Sequence, residues 1–129
     1  MYVFINCREH WLLLVINVCS RMVYVLDPLE RDQDIQLKPV VNMAFRSYMN
    51  QRGQRAKNLA QWKNVKCPQQ PGGVECGYYV MKYMHDLCTK YSTYTSLDKV
   101  FQDRTTPYSI EEIDEIREMW AKYFCKECV

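Results

Sequence analysis

The sequence has no apolar run long enough to span a membrane; the longest, Trp11 to Ile16, has the length of a β-strand. It has almost no excess of one charge, with 17 Lys and Arg against 15 Asp and Glu and a net charge of +2. That balance gives no basis for a nucleic-acid partner or an anionic membrane surface. The opening Met1-Tyr2-Val3-Phe4-Ile5 has no basic region, long apolar stretch or small-residue cleavage site, so no secretory leader is expected. Repeats, low-complexity tracts and a second domain are also absent from the pattern. The cysteines do not form an even, regularly spaced set: there are seven, at 7, 19, 67, 76, 88, 125 and 128. A disulfide framework is therefore not expected, and a reducing compartment, nucleus or cytoplasm, is. What is present is the makings of one aromatic-rich core, with 48% hydrophobic residues, ten Tyr and three Trp in 129 residues.

Tyr2 to Ile5 reads as a short strand. Trp11–Ile16 and Met22–Leu26 are apolar at every position, as expected of two buried strands joined by a hairpin across residues 17–21. A turn centred between Val18 and Cys19 pairs Ile16 with Arg21 and Leu14 with Val23. Continued outward, it sets His10 opposite Asp27 at the open end, with Cβ atoms about 5 Å apart. From residue 35 to 51 the apolar positions 37, 40, 41, 44, 45, 48 and 49 follow helical spacing, with Gly53 as the stop. Residues 52–57 read as a basic solvated stretch, and Trp62–Val65 as a further short strand. Residues 76, 79, 80, 83, 84, 87 and 88 form the buried face of another helix. The segment 91–106 reads as polar and irregular. Ser109 and Glu112 make a capping box for a last helix with the stripe Ile110, Ile113, Ile116, Trp120 and Phe124.

Cys76 falls on the first turn of its helix, where unpaired N–H groups and the dipole favour a thiolate. His10 supplies a base, and Asp27 an acceptor that fixes the imidazole tautomer. Acyl transfer also needs donors for the developing oxyanion. The Cys76 N–H is one, and Gln70 or Gln69 fits as the second. Gly72 and Gly73 let the backbone turn sharply and approach a substrate closely.

His10-Trp11, Asp27 seventeen residues on, and Pro68-Gln69-Gln70-x-x-Gly73-x-Glu75-Cys76-Gly77 resemble the core of the ubiquitin-like-protein-specific cysteine proteases, the SUMO/sentrin-specific or Ulp-type family. The resemblance covers about residues 2 to 90. It implies an α+β fold: a small antiparallel central sheet, the nucleophile helix packed on it, and flanking helices. It implies cleavage after the C-terminal glycine of a ubiquitin-like modifier, with Cys76, His10, Asp27 and Gln70 catalytic. Trp11, with Gly72 and Gly73, would bind the modifier's Gly-Gly tail. No cofactor or metal is implied, the expected partner is a SUMO-like protein or its conjugates, and a monomer is expected. The chain departs from the family in Glu75, where Asp is common, and in Pro28, where a small polar residue is frequent. It is also shorter than family catalytic domains, mostly ahead of the His strand. It is therefore expected to be one domain over 1–129, the C-terminal portion of a longer domain. The pattern also resembles divergent members associated with transposable elements in plant genomes.

Plainer readings stand beside these. Alone, His10 is a strand-edge histidine, Asp27-Pro28 a turn starter, and Cys76 a buried helix cysteine. Cys125-x-x-Cys128 with His85 and Cys88 would make a four-ligand zinc set, against which a lone terminal CxxC weighs little. Two rival functions are an inactive relative acting as an interaction module, and an acetyltransferase with the same His/acid/Cys site. The sequence has no clear CoA-binding signal for the latter.

Overall fold

A computed structural model describes residues 1–7, 9–30, 38–53, 60–104 and 106–129. Strands β1 (Tyr2–Cys7), β2 (His10–Asn17), β3 (Met22–Leu26) and β4 (Gln61–Asn64) form one sheet in that order. Among the described residues three helices accompany it, α1 (Lys38–Gln51), α2 (Cys76–Thr89) and α3 (Ile110–Cys128), with a 3-10 turn at Leu97–Lys99. The fold is α+β. β1, β2 and β3 are antiparallel, whereas β4 joins β3 in parallel, so the sheet is mixed. The segment containing α1 is the crossover that brings the chain back to run in the same sense as β3. Expected helical positions 35–37 and part of the basic stretch at 52–57 lie outside the described residues.

Both faces of the sheet are covered, which is why β3 and residues 11–16 of β2 are apolar throughout. Leu13, Tyr24 and Leu26 pack with Tyr79, Val80, Tyr83 and Leu87 of α2. Leu12, Leu14, Ile16, Val23 and Val25 pack with Phe45 of α1.

The hairpin register differs from the expected one by two residues. Asn17 pairs with Met22 and Leu13 with Leu26, leaving a four-residue loop at 18–21. The Asn17 side-chain oxygen accepts the Ser20 N–H at 3.1 Å, and Arg21 adopts φ 56°. That local hydrogen bond closes a wider loop than a two-residue turn. Because side chains alternate with period two, the shift keeps each residue on its expected face.

α2 buries Cys76, Tyr79, Val80, Tyr83 and Leu87, but also Lys82 and Asp86. Cys88 is exposed. α3 carries the expected capping box, Ser109 accepting from Glu112 N–H while the Glu112 side chain accepts from Ser109 N–H. Its apolar stripe is covered only at Ile113 and Ile116, and every residue after Ile116 is exposed. The helix runs past the body it packs on.

Candidate active site

The ribbon of β2 and β3 delivers His10 and Asp27 to one end of the sheet. Glu9, at φ 64°, turns the chain between β1 and β2, and His10 is the first residue of β2. One further step of the observed register sets Asp27 opposite Leu12, two residues from His10 on the same side. The side chains bridge that diagonal. His10 Nε2 lies 2.6 Å from Asp27 Oδ1, with both side chains buried. The same carboxylate oxygen accepts the Leu29 N–H at 2.9 Å, which fixes its rotamer. With Nε2 committed to the carboxylate, Nδ1 is the nitrogen that remains for a thiol.

Cys76 is 5% exposed and opens α2. The first turn of α2 meets the start of β2: a Cβ on Gly77 would sit 3.9 Å from Trp11 Cδ1. Trp11 itself is 41% exposed, an indole on the surface against the thiol-bearing turn.

The loop from β4 to α2 is laced to the strand carrying Asp27. Val65 N–H donates to Val25 C=O at 2.9 Å and Gln70 N–H to Pro28 C=O at 2.8 Å. Tyr83, from the buried face of α2, donates its hydroxyl to Pro68 C=O. The two glutamines differ in their surroundings. Gln69 Nε2 donates to Asp27 C=O at 3.1 Å and Cys67 C=O at 2.9 Å. Gln70 Nε2 donates to Gly72 C=O at 2.7 Å, and its buried Oε1 has no partner among the described residues. One amide N–H of Gln70 is therefore held by a carbonyl, and the second remains for another acceptor.

Gly72 and Gly73 also separate. A methyl at Gly72 would come within 2.7 Å of both Glu75 carboxylate oxygens, whereas one at Gly73 would meet nothing within 4 Å. Neither has positive φ. A side chain at 72 would have to displace the Glu75 carboxylate, the free end of a flexible side chain, which also accepts the Val74 N–H at 3.2 Å.

The second buried thiol nearby is of a different kind. Burial pushes Cys67 up to about 12, with smaller downward contributions from its hydrogen bonds to Tyr83 and the Asp27 backbone. Its Sγ donates to Asp27 C=O at 3.6 Å. Cys67 is thus a structural thiol. Iodoacetamide applied to the folded protein at pH 8 is expected to leave Cys67 unmodified until denaturant is added, as read by peptide mass mapping.

Behind the site lies a polar cluster that the sequence reading missed. Asp86, 2% exposed, accepts from Lys82 Nζ at 2.9 Å and Tyr108 hydroxyl at 3.0 Å. Burial pulls its pKa up, but Lys82, Tyr108 and Lys90 more than offset this and hold the carboxyl below its ordinary value. The signal was the i, i+4 spacing of Lys82 and Asp86, which on a helix otherwise apolar on that side points to a buried pair. His85, Cys88, Cys125 and Cys128 do not converge. Among the described residues no group of three or more His, Cys, Asp or Glu is placed to hold a metal. No described helix is long and apolar enough to cross a membrane.

Comparison with known proteins follows the same lines. No curated protein sequence matches the chain. Among solved structures, the SUMO protease Ulp1 with its catalytic cysteine oxidised to a sulfenic acid superposes with a TM-score of 0.61 at 20% identity, over 93% of this chain and 49% of that one. The C-terminal Ulp1 protease domain in complex with SMT3, the yeast ortholog of SUMO, superposes at 0.55 and 18% identity, over 90% and 47%. A de-sumoylating protease superposes at 0.61 and 17%, over 98% and 60%. These likenesses carry the fold, and the chain spans about half the length of the first two. The model of the Ulp1 protease family, C-terminal catalytic domain, matches residues 1–126, and the chain belongs to that family.

Proposed function

We propose that this chain is the thiol-bearing portion, as a single unit over 1–129, of a cysteine peptidase that cleaves after the C-terminal glycine of a SUMO-like modifier. The observation that supports the reading is the buried 2.6 Å contact of His10 with Asp27, one residue along the strand from Trp11, which meets the first turn of the helix that begins at Cys76. Cys76 gives its proton to His10 and attacks the glycine carbonyl carbon, forming a C–S bond and an oxyanion. The Cys76 N–H and the second N–H of Gln70 receive that oxyanion. Collapse breaks the C–N bond, and the imidazolium protonates the departing amine. Water then attacks the thioester, His10 takes its proton, and the C–S bond breaks to free the modifier and restore the thiol. Asp27 holds the ring and stabilises its charged form throughout. Trp11 and the exposed Gly73 flank the approach for a narrow diglycine tail.

The test is a SUMO propargylamide or vinyl sulfone probe with peptide mass mapping. A single adduct at Cys76 is expected. A cooperatively melting protein with no adduct, or one at another cysteine, sinks the proposal. A second reading is favoured by the burial of Cys76, 5% exposed: an inactive relative that acts by interaction. A folded chain that binds SUMO without forming the adduct would support it.

A further inference from the structure

By residue type Gln69 and Gln70 are equivalent, the family resemblance singles out Gln70, and the structure gives the two separate surroundings. The Gln69 amide bridges two carbonyls, Asp27 C=O at 3.1 Å and Cys67 C=O at 2.9 Å, across 42 and 2 residues of chain. Both partners are pure acceptors, so the nitrogen assignment is forced by chemistry. The Asp27 carbonyl is a junction: it also receives Cys67 Sγ at 3.6 Å and Glu30 N–H at 3.3 Å. The residue after Gln69 is the proposed oxyanion donor, itself tied through its N–H to Pro28 C=O at 2.8 Å.

We propose that Gln69 is a positioning residue that fixes the acid and the oxyanion donor relative to each other, an inference that rests on the function proposed above. Asp27 is the first residue after β3. Its side chain accepts the Leu29 N–H, and its carbonyl is bonded by Gln69, Cys67 and Glu30, of which only Gln69 also reaches back into the loop that carries Gln70 through a side-chain amide. Loosening the backbone swings the carboxylate away from His10 and moves Gln70 with it, because one loop carries both ties. Neither Gln69 atom need touch substrate for this. Its effect passes entirely through the geometry of Asp27 and Gln70, where displacement on the order of 1 Å lowers turnover about 100-fold.

The experiment compares the wild-type chain with Gln69→Met and Gln69→Glu, which keep length and shape but remove the donor. Gln69 borders a cavity of about 680 Å³ that also contacts Cys67 and Val65, so neither side chain is crowded. Hydrolysis of a SUMO–aminomethylcoumarin fusion is followed, with thermal melting, and the low-field proton resonance of the His10 ring N–H bonded to Asp27 is recorded. Both variants are expected to lose about 100-fold in kcat with little change in KM, and to show the His10 resonance shifted upfield or broadened, while still melting cooperatively. Unchanged kcat and an unchanged resonance in either variant overturn the proposal. A wild-type chain that does not turn over overturns the proposed function instead. In that case the resonance alone still decides Gln69, because it reports the His10–Asp27 contact without requiring catalysis.

Discussion

Asp27→Asn is expected to lower turnover of a SUMO–fluorophore substrate about 10⁴-fold while leaving the melting temperature nearly unchanged. The argument starts from one oxygen. Asp27 Oδ1 takes both His10 Nε2 at 2.6 Å and Leu29 N–H at 2.9 Å. An asparagine of the same shape still accepts the Leu29 N–H, and its backbone carbonyl still holds Cys67 and Gln69, so the fold has no reason to change. Two things are lost. The buried negative charge that stabilises an imidazolium facing a thiolate is gone. The amide N–H₂ also competes for the ring nitrogen and favours the tautomer with the proton on Nδ1, which cannot accept from Cys76. Activity within tenfold of wild type in a folded Asp27→Asn protein would remove Asp27 from the assigned role.

Lys82→Met is expected to destabilise the fold by about 3 kcal/mol, measured by urea unfolding at pH 7. Lys82 and Asp86 are 6% and 2% exposed at their side chains, one turn apart on α2, with Nζ and Oδ1 at 2.9 Å. Removing the cation leaves a buried carboxylate with the Tyr108 hydroxyl, the half-exposed Lys90 at 3.3 Å and His85 Nδ1 at 3.5 Å. The double variant Lys82→Met, Asp86→Leu should recover much of the loss, since a buried pair replaced by apolar groups is often close to neutral. The pH dependence gives an independent sign. In the wild-type chain the Asp86 pKa lies below its unfolded value. Its contribution is therefore complete above the unfolded carboxylate range and is lost as pH falls through the folded value. Without Lys82, burial dominates and favours the protonated form, so the gap between variant and wild type should narrow on acidification. A gap that is constant from pH 7 to pH 4 would show that the pair is not what the substitution disturbs.

The parts of this molecule written in local chemistry were readable in the sequence. β2 and β3 announced themselves by unbroken apolar runs, α2 by its period, and α3 by the Ser109–Glu112 box. The His10–Asp27 pairing was reached through a register off by two residues. It held because a pleated strand returns the same face after two steps, so an error of one would have separated the pair. Long-range choices were not readable. Nothing between 52 and 61 says whether the next strand will run with β3 or against it. The resemblance pointed to Gln70, but what Gln69 does depends on which carbonyls the loop meets after folding. Lys82 and Asp86 were hidden because a periodicity reading scores charge as solvent-facing, whereas Tyr108, from a distant irregular segment, gives them a polar interior.

The far half of α3 governs how the polypeptide behaves in the hand. Met119, Trp120, Tyr123 and Phe124 line a bare rod beyond Ile116, at 43%, 41%, 57% and 58% exposure. At the concentrations used for crystallisation or spectroscopy, that greasy handle makes the isolated chain adhesive, and its colloidal state will follow detergent and salt more closely than the health of its core.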